Sequence, residues 1–266
     1  MAEVHHDGRR SGPEEQRLQG HWLLAKLGKR VLRPGGVELT DKLLVAAAPK
    51  PSDRIVEFGP GVGHTARKLL ACGPVSYCGV DPNPEGRAGM AKVLNGHANA
   101  RVVTAHAAET GLPDESADLV IGEAMLTMHT PQEKARIVAE AARVLAPGGR
   151  YAIHELGFTR EADTQHIAKE ISRTVKVGAK PLPESGWREL LSAHGLEVEW
   201  VGYAPMSLLE PGRMIADEGL PRTLLIAFRV LTNPAARKRV LAMRKVFRAH
   251  ADALTGIALV ARKKAA

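Results

Sequence analysis

Arg54-Ile55-Val56-Glu57-Phe58-Gly59-Pro60-Gly61-Val62-Gly63-His64, followed by Tyr77-Cys78-Gly79-Val80-Asp81, places a glycine loop between two acidic residues. The apolar run Arg54 to Phe58 reads as a strand. It turns through Gly59, Gly61 and Gly63 into a helix, His64 to Ala71, so that backbone N–H groups meet a close ligand. Asp81 lies 22 residues beyond Gly59 and closes a second strand, where a carboxylate can accept from both hydroxyls of a ribose. A dinucleotide loop, G-x-G-x-x-G/A, asks for a small residue where His64 stands, and the third glycine comes one position early. Glu57 repels phosphate but suits an ammonium. A ligand with a ribose, an adenine and an amino-acid end therefore fits better than one with phosphates.

Further down the chain, Asp118-Leu119-Val120-Ile121-Gly122 reads as a fourth strand. Thr130-Pro131-Gln132-Glu133 offers an N-cap, a proline at the first helical position and a capping-box Glu. Ile137, Ala141, Val144 and Leu145 recur at helical spacing until Pro147-Gly148-Gly149 stops the helix, and Arg150 to Ile153 reads as a fifth strand. From about Pro51 to Glu155 this pattern resembles the S-adenosylmethionine-dependent methyltransferases of the Rossmann-like class I superfamily, whose loop reads [DE]-x-G-x-G-x-G. Within it, the small-molecule methyltransferases that include the quinone-biosynthesis C-methyltransferases are the nearest in pattern.

The resemblance implies an α/β fold: a doubly wound, mostly parallel seven-stranded sheet with an antiparallel last strand. It implies S-adenosyl-L-methionine as cofactor and S-adenosyl-L-homocysteine as product. Glu57, Phe58, Gly59, Gly61, Gly63, Asp81 and Pro82 would hold the cofactor, with Glu123 at its methionine end. Relatives carry an acidic residue followed by Ala near the adenine, but this chain reads Ala105-His106-Ala107-Ala108-Glu109. His106 or Ala107 stands in place of that carboxylate, with Glu109 as a substitute; His106, Ala107 and Ala108 are therefore assigned to the adenine.

The composition sets outer bounds. A chain of 266 residues suffices for one domain, over 16–266, after a polar tail at 1–15 expected to be disordered. Lid helices are expected over 16–50 (Glu15 to Leu32 and Leu39 to Ala48), the cofactor core over 51–156 and the acceptor-side half over 157–266. Neither a run of 18 apolar residues nor a signal peptide is present, so a cytoplasmic location is expected. Cys72 and Cys78 form no metal or disulfide pattern, and they are expected as buried, reduced thiols.

The net charge is +8, and 12 Lys/Arg against 3 Asp/Glu from Arg213 to Ala266 account for all of the excess. That leaves an anionic acceptor, a membrane surface or RNA as readings of the basic helix opened by Asn233-Pro234, beside an ordinary solvated face. Nucleic-acid adenine methyltransferases share [DNS]-P-P-[YFW] after the fourth strand, where this chain has Glu123-Ala124-Met125-Leu126. A small or lipid-like acceptor is favoured over two alternatives, an RNA methyltransferase and a nicotinamide-dependent oxidoreductase.

Helices are expected at Asp163 to Thr174 and Ser185 to His194, then a strand at Leu196 to Tyr203 and a last strand at Thr255 to Arg262. The apolar segment between those strands, about 205–250, reads as a helical cap over the acceptor. Methyl transfer needs alignment above all, and a base only for a protonated acceptor. His129, His154 and Glu155 are the candidates for that base; no metal is expected.

Overall fold

A computed structural model of the chain describes residues 19–83, 87–161 and 164–264. The expected tail at 1–15, the start of the first lid helix and Asp163 lie outside them.

One sheet organises the molecule, in the order β3-β2-β1-β4-β5-β8-β7. Strands β1 (Arg54–Phe58), β2 (Ser76–Val80), β3 (Ala100–Val103), β4 (Ala117–Glu123) and β5 (Leu145–Phe158) run parallel. β8 (Leu254–Lys263) lies antiparallel between β5 and β7 (Leu196–Pro205). The seven expected strands are thus present, and a two-residue strand β6 (Leu182–Pro183) adds to the end of β5. Two residues are too few to carry a period-2 pattern, which is why the sequence did not announce it.

Alternation assigns each strand residue to a face. On one face Val56, Phe58, Val120, Ile257 and Leu259 pack with Ile137 and Ala141 of α5 (Pro131–Val144) and Trp187 of α7 (Glu184–Ser192). On the other, Ile55, Leu119, Ile121 and Val260 meet Leu39 and Leu43 of α2 (Gly36–Ala47), Leu69 of α3 (His64–Ala71) and Met90 of α4 (Arg87–Leu94). Helices on both faces explain why the strands are apolar runs.

A third cluster sits beyond the end of β5. Here Leu23 and Leu24 of α1 (Gly20–Lys26) and Ile167 and Ile171 of α6 (Thr164–Val175) pack with Leu156, Phe158 and two residues of α10 (Pro234–Ala249), Met243 and Phe247. The segment between β7 and β8 consists of α8 (Pro211–Glu218), α9 (Leu220–Thr232) and α10. Asn233 caps α10, its side chain accepting from the Ala236 amide at 3.0 Å.

The C-terminal ends of α1 and α5 differ from the sequence reading for local reasons. The first described helix stops at Lys26 rather than Leu32, because Gly28 adopts φ +107°, outside the helical region. α5 stops at Val144, and Leu145 to Gly149 enter β5 through an irregularity in its pairing with β4. Gly148 there has φ +75°.

Candidate functional site

The parallel strands β1 and β4 end at one edge, and the glycine loop turns over it. Gly59, Gly61 and Gly63 all have positive φ (+64°, +54°, +76°), which only glycine holds without strain. At Gly63 a Cβ would also stand 2.7 Å from Met90 Sδ and Val93 Cγ2, so that glycine admits α4. A cavity of about 270 Å³ opens on this loop, bordered by Glu57, Gly59, Pro60, Gly61, His64 and Thr65. The Tyr77 hydroxyl donates to Glu57 Oε2 at 2.6 Å. Burial pushes the Glu57 carboxyl up to about 8. Phe58 is fully buried edge-on to Tyr151, so only its backbone is available to a ligand. Asp81 follows β2, half-buried, with Oδ1 accepting from the Asn83 amide at 2.9 Å, and Pro82 is exposed beside it.

The opposite wall of this cavity comes from the segment after α1, which supplies Lys29, Arg30 and Arg33. Arg33 Nη1 pairs with Glu123 Oε2 and donates to Thr65 Oγ1 (2.7 Å) and Thr40 Oγ1 (3.1 Å). Burial opposes ionisation of Glu123, but the Arg33 charge, the His154 ring and the Thr40 hydroxyl hold it well below the usual carboxylate range. Glu123 thus borders the cavity as expected, but its charge is already matched by Arg33. Close packing sets this loop in place: a Cβ on Gly256 of β8 would stand 2.7 Å from Pro34 O, and one on Gly35 2.8 Å from Ala204 Cβ. Two buried nitrogens bordering the cavity, Lys29 Nζ and His64 Nε2, have no hydrogen-bond partner. Burial lowers the basicity of both, aided at His64 by Arg33 and opposed at Lys29 by Glu218. Lys29 lies 3.6 Å from Glu218 Oε1 in a buried ion pair, so His64 Nε2 is the polar atom of this wall with neither a hydrogen bond nor an ion pair, and it suits a ligand with a polar amino-acid end.

A second cavity, about 110 Å³, shares Leu32, Ala124 and Met128 with the first. It is apolar, with Leu24, Leu156, Ile171, Met206, Met243 and Phe247, from five separate parts of the chain, among its lining. Glu155 is the acidic residue on it.

The three candidates for a base fare differently. Glu155 Oε1 accepts from the amides of Met125 (3.0 Å) and Leu126 (2.7 Å), and Oε2 from the amide (3.0 Å) and hydroxyl (2.7 Å) of Thr127. Burial pushes this carboxyl up against those donors. His154 is buried, with Nδ1 3.0 Å from Glu123 Oε1 and Nε2 on the Pro34 carbonyl, and it borders neither cavity. In this structure Glu155 caps the short turn Leu126–Met128, and His154 ties β5 to the loop at Pro34. Neither has an unengaged atom to receive a proton.

His129 is half-buried beside Glu133, Nδ1 to Oε2 at 3.4 Å, and its ring meets His106 edge-on at 5.7 Å. The ligand atoms of His106, His129 and Glu133 lie within 4.8 Å of one another. His106 Nδ1 accepts from the Ala108 amide at 3.2 Å, which leaves its Nε2 protonated toward Glu133 (3.6 Å) rather than free for a metal. The His106-Ala107-Ala108 turn follows β3, and Glu109 is exposed on it.

Lys29, Arg33, His64 and Thr65 are the site residues that sequence reasoning missed. The signal was present for Arg33, which stands directly before Pro34-Gly35-Gly36, a run whose two glycines both take positive φ.

Comparison with known proteins adds to this geometry. A family model described as a methyltransferase domain matches residues 56–153. An uncharacterised protein of Haemophilus influenzae is 34% identical over 211 residues, covering 78% of this chain and 83% of its own. The malonyl-[acyl-carrier protein] O-methyltransferase of Methylococcus capsulatus is 26% identical over 191 residues, with 67% of each chain covered. Among solved structures, phosphoethanolamine N-methyltransferase 2 of Haemonchus contortus, in complex with S-adenosyl-L-methionine, superposes with a TM-score of 0.70 at 19% identity. That match covers 93% of this chain and 57% of that one.

Proposed function

We propose that this chain, which belongs to the class I S-adenosylmethionine-dependent methyltransferases, transfers methyl to a small, largely apolar organic acceptor. The observation that carries the reading is the shared wall: a charged cavity on the glycine loop and an apolar one meet at Leu32, Ala124 and Met128. When bound, the cofactor supplies an electrophilic methyl group on a sulfonium. The chain's own residues bind and orient. Of the loop amides, Gly59 donates to Val80 O and Gly63 to Pro60 O, so those of Gly61 and Val62 face the amino-acid end, with Glu57 for its ammonium and Lys29 and Arg33 for its carboxylate. Asp81 takes the ribose hydroxyls, while Pro82 and the His106-Ala107-Ala108 turn take the adenine.

The apolar cavity excludes water and aligns the acceptor atom, and well-aligned reactants supply about 7–11 kcal/mol of barrier reduction. At about 110 Å³ it accommodates a fragment of roughly ring size. A ring of the kind methylated by quinone-biosynthesis C-methyltransferases suits this lining. For a protonated acceptor His129 is the base carried forward: like His154 it borders neither cavity, but it follows Met128, which borders both, and it is half-buried rather than locked between Glu123 and Pro34. An extract of small metabolites incubated with methyl-labelled cofactor should yield a labelled apolar product. Label incorporated into total RNA in a parallel incubation, with none in the metabolite extract, would overturn the acceptor class; absence of S-adenosylhomocysteine binding in calorimetry would overturn the site.

A further inference from the structure

Helix α9 is clothed in apolar side chains that nothing among the described residues covers. Leu220, Leu224, Leu225, Phe228 and Leu231 are 42–64% exposed, and among its 13 residues only Ile226 is buried. At helical periodicity Leu220, Leu224, Phe228 and Leu231 fall within about 80° of arc, a continuous outward stripe. Monomeric proteins rarely leave such a patch bare.

Charge decides what covers it. From Gly219 to Ala249 the chain has eight Lys/Arg and no Asp/Glu. Arg229, Arg237 and Lys238 are exposed. Arg222 and Arg229 donate to the carbonyls of Gly28 and Leu27, tying α9 to a segment on which Lys26 and Arg30 are also exposed. A second copy of the chain would bring these positive charges against one another. RNA would answer the charge but leave the leucines and Phe228 wet. An anionic lipid surface answers both, since apolar side chains enter the boundary between headgroups and acyl chains while arginines and lysines stay among the phosphates.

We propose that the outer face of α9 docks on an anionic bilayer, the helix lying in the plane of the interface. No described helix is long and apolar enough to cross a membrane, so the contact is peripheral. α10 packs against α9 and presents Met243 and Phe247 to the apolar cavity, which places that cavity one helix away from the lipid. The docking does not depend on the acceptor named above.

The test is sedimentation of the full chain with vesicles. Binding is expected to phosphatidylcholine containing about one-third phosphatidylglycerol, weakened by added salt, and not to phosphatidylcholine alone. Leu224→Glu with Phe228→Glu should lower partitioning at least about tenfold. Arg237→Gln with Lys238→Gln should lower it by roughly fivefold per charge removed and leaves the apolar stripe intact should the first variant misfold. Unchanged melting temperature and S-adenosylhomocysteine affinity keep both results specific to docking. No binding to the anionic vesicles, or equal binding to neutral ones, overturns the proposal. So does a dimer in light scattering that the Glu substitutions dissociate.

Discussion

The two cavities share three residues but are built in opposite ways. One side of the charged one stands on a continuous motif: seven residues between Glu57 and Thr65 line it and the backbone at Gly59, Gly61 and Gly63 shapes it, while Lys29, Arg30, Arg33 and Glu123 reach it from elsewhere in the chain. The apolar one is assembled from α1, the loop at Pro34, the turn at Met128, the end of β5, α6 and the residues after it, the segment after β7 and α10. A motif encodes a shape locally, so the first can be read from residues. The second exists only once distant segments are packed, and any apolar residue of similar volume would serve at most of its positions.

The loop from Arg33 to Gly36 belongs to both regions, and displacing it tests whether they are coupled. In Gly256→Val the new side chain would occupy the place of Pro34 O, so the loop must leave β8 and carry Arg33 away from Glu123. Overpacking of this kind costs about 1–3 kcal/mol of stability, and misplacement of positioning groups costs about 10²-fold in turnover. A lower melting temperature with turnover and cofactor affinity both reduced is expected. Loss of one function alone would show the regions to be independent.

His129→Ala should act on turnover only, lowering it by about 10²-fold or more while S-adenosylhomocysteine affinity is unchanged. Full turnover in this variant would leave alignment as the whole of catalysis. Glu155→Gln sets an amide against the Met125, Leu126 and Thr127 donors and should cost about 1–3 kcal/mol in denaturant unfolding. Unaltered stability would break its assignment as a cap.

Asp81→Ala should weaken cofactor binding by about 1–3 kcal/mol, because the ribose hydroxyls lose a charged acceptor. Calorimetry with S-adenosylhomocysteine reads this directly. Equal affinity would mean that the second anchor of the motif lies elsewhere.

Legibility in the sequence follows the same division. Strands β1, β2, β4 and the capped helix α5 were readable because each carries its own period, turn residues and cap, as at Thr130, whose side chain accepts from the Glu133 amide. The three-helix segment between β7 and β8 was readable as an apolar insertion, though not as walls of a particular cavity. The roles of His154 and Glu155 were not legible. Their place at the end of a strand suggested chemistry, and only the packed structure brings Pro34 and the Leu126 turn to their side chains. Arg33 and Lys29 were missed for the same reason: their partners are 90 and 189 positions away.

Glu57 offers the finest test of the charged region. Burial pushes its carboxyl from 4.5 up to about 8, so at neutral pH the protonated form predominates. An acid raised in the folded state stabilises the fold fully below 4.5, and that contribution is lost as pH rises toward about 8. Cofactor binding should run the other way, because an ammonium prefers the ionised carboxylate. Between pH 7 and pH 8 the ionised fraction rises about fivefold, and S-adenosylhomocysteine affinity should rise by about that factor with release of a proton. Glu57→Gln keeps the shape, cannot ionise, and should flatten this limb while raising stability at pH 8 relative to pH 5. Calorimetry in two buffers of different ionisation enthalpy counts the released proton. A pH-independent affinity in the native chain would show that Glu57 holds its tyrosine rather than the ligand.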